Sequence, residues 1–241
     1  MDLTALALIT RDDFTLPMNQ ANAFLFLIAV IHWLKLLSLI HRMVSLLTPK
    51  KMFTYQTSTQ VKYDVRDKAD TLAHLLGQPS DVKVDRFGNI YVSEFNLDRI
   101  SVIDKKGVAT VFANGITKPF GLASDNEGNV YVASNTTGKI FKCSRSEKKL
   151  LAIVPGSVAY ITYSDKTGNL YAKCFTGNSI YRIKKSGEIS RFAGTGAKGG
   201  EDGDLGQCTF DGPNSITLSP EGDLYISEFP ANRIRKISKA E

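Results

Sequence analysis

Four side chains with useful chemistry stand at matched places in this chain of 241 residues. Glu94, Ser134, Cys174 and Glu228 each lie three residues after the tyrosine of a recurring word. Two carboxylates, a hydroxyl and a thiol around one opening would suit a hard cation or a polar ligand, since such cations take oxygen donors. The competing reading is that Glu94 and Glu228 cap turns and pair with nearby Arg99 and Arg233, an ordinary surface feature. A second set is basic. Two residues after each of four matched isoleucines stand Val102, Lys142, Arg182 and Lys236, with Arg235, Lys184 and Lys185 close by. Three basic residues in four equivalent places suggest either a positive face for single-stranded nucleic acid or a solvated outer face. Histidine chemistry is scarce: His32, His41 and His74 form no cluster, and no Ser/His/Asp set assembles. Cys143, Cys174 and Cys208 lack metal spacing and read as buried thiols. The residues therefore point to no catalytic group, no metal and no cofactor.

The elements that must position these side chains repeat. The word glycine, Asn or Asp, aliphatic, tyrosine occurs as Gly88-Asn89-Ile90-Tyr91, Gly128-Asn129-Val130-Tyr131, Gly168-Asn169-Leu170-Tyr171 and Gly222-Asp223-Leu224-Tyr225. Three residues before the glycines stand Asp85, Asp125, Asp165 and Ser219, and six further back Pro79, Pro119, Ala159 and Pro213. Nine residues after the tyrosines come Ile100, Ile140, Ile180 and Ile234. A period near 40 residues marks a supersecondary unit stacked on its neighbours. Alternation through Val82 and Val84, Ile90 and Val92, and Ile100 and Val102 is that of short strands. The glycine word is a tight turn, because Gly and Asn tolerate positive φ. Four short strands per unit make a β-propeller blade.

Pro79 to Glu94, Asp211 to Glu228, and the stretch from Phe192-Ala193-Gly194-Thr195-Gly196 through Asp202-Gly203 to Ile237 resemble the NHL repeat. The resemblance covers residues 71–237. It implies an all-β propeller that serves as a binding or scaffolding module and engages a protein through its blade loops. Enzymes on similar scaffolds imply an alternative, a metal-dependent lactonase or lyase of the gluconolactonase type. Its site would draw on Glu94 and Glu228 with Asn135 or Asn178. A further alternative is an RNA-binding propeller using Lys142, Arg182, Arg235 and Lys236. The third unit departs from the pattern, with Ala159 in place of the proline and Ala172-Lys173-Cys174 after the tyrosine.

Strand counting predicts about four four-stranded blades. Thr71 to Leu76, followed by Gly77, matches the last strand of a blade, as Thr110 to Gly115 does. It would complete the three-strand final unit and close a small ring. If residues 60–66 add a further strand, the blades form an open arc instead, with edges needing cover. Residues 51–70 read as a bridge and 71–241 as the propeller. The connection within Gly194–Phe210 is a candidate partner loop, and Asn135-Thr136-Thr137 is a glycosylation sequon for a luminal domain.

Residues 1–50 are of another kind. Residues 23–40 are mostly apolar, interrupted by His32, Lys35 and Ser38, and predict an N-terminal helix near the minimum length for a bilayer. Membrane anchor, signal peptide, and either a helix packed on the domain or a mis-called gene start compete. A spanning helix, with Arg42, Lys50 and Lys51 behind it, would leave the propeller in the cytoplasm; a signal peptide would make it secreted. The formal net charge of +6 is too mild for a dedicated nucleic-acid binder.

Overall fold

The computed structural model describes residues 76–238 except 105, 175 and 230, together with the backbone of three strands before them. The chain divides into two units, Met1–Leu39 and Ile40–Glu241, and everything described belongs to the second. The apolar run at 23–40 lies outside the described residues, as do all three histidines.

The protein is an all-β propeller of four blades. Strands β4 (Pro79–Val84), β5 (Ile90–Glu94), β6 (Arg99–Ile103) and β7 (Ala109–Asn114) form blade one. Blade two is β8 (Pro119–Ser124), β9 (Val130–Ser134), β10 (Lys139–Cys143) and β11 (Lys148–Ile153). Blade three is β12 (Val158–Tyr163), β13 (Leu170–Cys174), β14 (Ser179–Ile183) and β15 (Ile189–Ala193). Blade four has three strands, β16 (Pro213–Leu218), β17 (Leu224–Glu228) and β18 (Arg233–Ile237). Ahead of them lies a three-stranded sheet of β1 (Phe53–Gln56), β2 (Val61–Asp64) and β3 (Ala69–Ala73), placing two strands in the segment expected as a bridge. All neighbouring strands run antiparallel.

The expected closing strand is real but pairs elsewhere. β3 has the register of a fourth strand: Ala73 faces Val61 and a bulge follows, as Ala113 faces Ile100 above a bulge in blade one. Its partner is β2, however, and β18 ends its own sheet. Among the described residues, no strand pairs with the outer side of β18. Local sequence specifies a strand's pattern, while the length of the connection decides which edge it reaches first; four residues separate β2 from β3.

The turn word forms as expected in blades one and two. Asp85 Oδ1 accepts the N–H of Phe87 and of Asn89, both at 2.9 Å, and Oδ2 accepts from the Asn89 amide at 2.8 Å and the Tyr91 hydroxyl at 3.2 Å. Asp125 repeats the pattern with Glu127, Asn129 and Tyr131. Gly88 and Gly128 sit at φ of 83° and 86°, where a Cβ is strained. In blade three the turn holds one more residue. Ser164, not Asp165, donates its N–H to Asn169 at 2.9 Å, as Asp85 does to Asn89 and Asp125 to Asn129. Val158, not Ala159, then faces Cys174, as Pro79 faces Glu94 and Pro119 faces Ser134. One inserted residue corrects both expected equivalences.

The core is divided among the seams between sheets. Tyr91 and Ile100 of blade one pack on Leu122, Val130, Val132 and Cys143 of blade two. Tyr131 and Ile140 pack on Ile161, Leu170, Ala172 and Ile183, and Tyr171 and Ile180 on Ile216, Leu224 and Ile226. Blades one to three therefore each present their repeat tyrosine and isoleucine to the next one. The innermost strands approach closely: a Cβ on Gly121 would lie 2.4 Å from the Ala159 carbonyl oxygen and 2.7 Å from the Tyr160 Cα. Polar bonds cross the first seam as well. The Leu122 N–H reaches Asp81 Oδ2 at 2.8 Å, and the Ser80 and Ser93 hydroxyls donate to the Pro119 and Phe120 carbonyls at 2.7 and 2.6 Å.

Candidate functional site

Glu94, Ser134, Cys174 and Glu228 occupy the last position of β5, β9, β13 and β17, so each ends the second strand of its blade. All four are buried. Each is tied to the loop that enters the first strand of the same blade. Glu94 accepts the Gly77 N–H at 2.7 Å, and Glu228 the Asp211 N–H at 2.7 Å. Ser134 donates to the Thr117 carbonyl at 2.5 Å and Cys174 to the Pro155 carbonyl at 2.8 Å. The chemistry differs, yet the position does the same thing in every blade. It latches the entering loop to the end of the second strand.

The latch carboxylates have further partners. Glu94 accepts from Arg99 Nε at 2.9 Å and Nη2 at 3.2 Å, and from the Ser101 hydroxyl. Burial pushes the Glu94 carboxyl up, but the bonds from Arg99, Gly77 and Ser101 outweigh it and hold the group below its ordinary range. Glu228 accepts from Arg233 Nε at 2.9 Å, with Arg235 Nη1 at 3.8 Å. Among the described residues no hydrogen bond joins any two of the four, and no group of three His, Cys, Asp or Glu is placed to hold a metal. Asn135 and Asn178 point their amides at the Val158 and Gly196 carbonyls, at 3.4 and 3.5 Å.

The basic row lies over the repeat tyrosines. Lys142, Arg182 and Lys236 face Tyr131, Tyr171 and Tyr225 across the strands. Lys142 Nζ stands 5.7 Å above the Tyr131 ring and 3.8 Å from Asp125. Lys236 Nζ stands 5.8 Å above the Tyr225 ring and 2.5 Å from Asp223. Arg182 covers Phe192 at 5.8 Å, with its Nε buried and lacking a hydrogen bond. Arg235 reaches away from this row: it clamps the long connection before blade four through the Thr209 carbonyl at 2.9 Å, the Glu201 carbonyl at 3.1 Å and Asp202 at 2.5 Å. That connection is further held by the Gly194 N–H to Leu205 at 2.9 Å and the Thr195 N–H to Cys208 at 3.0 Å.

Three features emerge only from the packing of the blades. At the latch rim, Phe95, Phe120 and Tyr160 from three successive blades form a row of edge-to-face contacts, with centroids at 6.3 and 5.1 Å, and Lys118 lies 5.0 Å over Phe95. Phe229, next to the latch in blade four, is exposed. Among the described residues Lys173 is the one lysine with a fully buried side chain, and burial pushes it down to about 7. Between blades two and three an open cleft of about 390 Å³ is lined by Lys142, Lys149, Lys184, Lys185 and Tyr163, among others. The cysteines are free and buried, and burial pushes the Cys143 thiol up to about 12.

Comparison with known proteins gives the same architecture. A family model described as a beta-propeller repeat matches residues 109–142. No curated protein sequence matches the chain. Among solved structures, a virginiamycin B lyase from Staphylococcus aureus with quinupristin is similar at a TM-score of 0.63 and 19% identity, over 80% of this chain and 66% of that one. A nidogen/laminin complex is similar at a TM-score of 0.65 and 18% identity, over 80% of this chain and 73% of that one. An auxiliary nutrient binding protein from Bacteroides thetaiotaomicron is similar at a TM-score of 0.64 and 16% identity, over 78% of this chain and 55% of that one. The chain spans about two thirds of the lyase and about half of the nutrient binding protein. At these identities the likeness is one of fold: the chain shares the β-propeller architecture with lyases and with binding proteins alike.

Proposed function

We propose that this chain is a non-catalytic propeller of NHL type, a scaffold that binds a protein partner through the loops of one rim. The observation that carries the reading is the state of the rim carboxylates. Glu94 holds an arginine, a hydroxyl and a backbone N–H, and Glu228 an arginine and a backbone N–H. A cation at this rim would have to displace buried hydrogen bonds that also hold the entering loops. What the rim offers outward is aromatic and cationic: exposed Phe229, the half-buried Phe95 and Phe120, and Lys118 over Phe95, with buried Tyr160 backing Phe120. Aromatic and cationic side chains with few free carboxylates are the composition of protein interfaces.

Thermal unfolding with calcium, zinc or manganese separates this reading from a metal-dependent lactonase or lyase. The scaffold reading expects no shift. A rise of several degrees that disappears in Glu94→Gln or Glu228→Gln would sink it. The apolar run at 23–40 supports a membrane tether in the same reading, with the propeller on the cytoplasmic side. Full-length protein is expected in the membrane fraction and a chain lacking residues 1–50 in the soluble one.

A further inference from the structure

One place in the repeat changes its chemistry in blade three. Two residues after the repeat tyrosines stand Ser93, Ala133, Lys173 and Ser227. This place lies in the seam to the following blade. Ser93 donates across the first seam to the Phe120 carbonyl at 2.6 Å, and Ala133 belongs to the cluster that joins blades two and three. Small residues suit it, because interiors are closely packed. Lys173 puts a four-carbon stem and an amine there, and only 1% of the residue is exposed.

The pairing fixes which way Lys173 faces. Side chains two apart on a strand share a face, as do those directly opposed on antiparallel neighbours. Lys173 shares its face with Tyr171, two residues before it, and with Ile180, opposite it on β14. Both belong to the cluster with Ile216, Leu224 and Ile226 of blade four. At the bulge of β12 stand Ala159 and Tyr160, members of the same cluster. Ionisable groups reach this seam from several elements. β13 brings Tyr171, β12 brings Tyr160, and β14 brings Arg182, which covers Phe192 at 5.8 Å; β16 brings none. Blade four brings Glu228, bound by Arg233 and the Asp211 N–H, and Arg235, bound by Asp202. The connection before it brings Cys208, which donates to the Leu205 carbonyl at 3.5 Å. Burial pushes Lys173 down to about 7, against a smaller opposite pull from Cys174 on its own strand.

We propose that Lys173 makes the joint between blades three and four responsive to pH. The joint is looser while this side chain carries a proton and tightens once the amine is neutral. When blade four undocks, water reaches Lys173 and returns it toward its ordinary value of 10.5. Between about 7 and that value the undocked state holds one proton more than the docked one. Docking is therefore favoured as pH rises through this window, and the dependence fades below about 7. One proton per event sets the size of the effect, up to about tenfold in the opening equilibrium per pH unit. The Glu228 latch rides on blade four, so a rise in pH firms that part of the rim.

Undocking strips blade four of its buried apolar face, and hydrogen exchange of the β16, β17 and β18 amides reads it in the full chain. Lys173→Met keeps the length of the stem and removes the amine. The ratio of wild-type to variant exchange cancels the intrinsic effect of pH on exchange rates. That ratio is expected to fall about fivefold from about pH 7 to 8 and further above 8, and to change by less than about twofold between about pH 6 and 7. A ratio that does not move with pH overturns the proposal. So does an equal change for the β9 and β10 amides, beside the seam where Ala133 holds the matching place. Titration of the Lys173 side chain by NMR needs no variant: a midpoint near 7 is expected, and one near the ordinary 10.5 overturns the proposal. The joint is distinct from the rim carboxylates: a metal-dependent shift in melting counts against the scaffold alone, and a flat exchange ratio against this joint alone.

Discussion

Blades one and four carry nearly the same words and lead different lives. Both end their second strand on a buried glutamate that accepts a backbone N–H at 2.7 Å and an arginine Nε at 2.9 Å. Both place an isoleucine one residue after that arginine. In blade one this isoleucine is sealed by β7 and blade two; in blade four half of its surface faces solvent. The difference teaches that the repeat encodes the interior of a blade, including its latch, whereas burial of the outward tyrosine and isoleucine is supplied by whatever comes next. A blade's sequence is only half of its environment.

The largest contrast comes from truncating the two isoleucines. Ile100→Ala removes a side chain at 0% exposure and is expected to cost about 2–5 kcal/mol. Ile234→Ala is expected to change stability by about 0.5 kcal/mol or less. Urea midpoints of the two variants measure this, and similar losses would erase the distinction between the blades. The next contrast is in the latches. Glu94 is held below its ordinary pKa, so its contribution is complete above the unfolded value of 4.5 and is lost as pH falls through the folded value. Glu94→Gln is expected to cost about 1.5–3 kcal/mol at neutral pH, the range for hydrogen bonds to a charged group, and to flatten stability against pH below about 5. Glu228→Gln is expected to cost less, since Glu94 also has the Ser101 hydroxyl. An acid limb unchanged in Glu94→Gln would remove the carboxylate from this role. The smallest contrast lies between turns. Asp125→Ala strips four hydrogen bonds from one turn and is expected to cost about 1–3 kcal/mol. Asp165→Ala loses one bond, to the Asn126 N–H at 2.7 Å, and is expected to cost less than about 1 kcal/mol. Equal losses would restore Asp165 to the equivalence that spacing gives it.

Much of the blade was legible because local physics writes it. Glycine at positive φ, an aspartate that caps it and alternation on either side leave marks at fixed distances, and these forecast β4 to β18 as strands of four blades. Thr71 to Gly77 was legible as a fourth strand for the same reason. Its partner was not, since nothing in those residues distinguishes the edge of β2 from that of β18. Counting also misled at blade three. Asp165 keeps its distance from Gly168 while the inserted residue hides between Tyr163 and Gly168, so the shift shows only in the pairing of Val158 with Cys174. The basic residues of the third strands stood out by charge, but their counter-charges Asp125 and Asp223 lie across a strand and back along a turn. The Phe95–Phe120–Tyr160 row carries no periodic signal, because it is made by neighbours from separate repeats.

The division of the core into seams has a bearing on how the molecule comes apart. Apolar clusters join blade one to two, two to three and three to four, and among the described residues no cluster spans them all. Cohesion is therefore summed link by link, as in a row of coupled spins, instead of being shared by one nucleus. A link in the middle is clasped on both sides, and one at the margin on one side only. Heat or denaturant should then act like unzipping from blade four, which among the described residues is clasped on one side only, and its amide protons should yield to exchange before those of blades one to three.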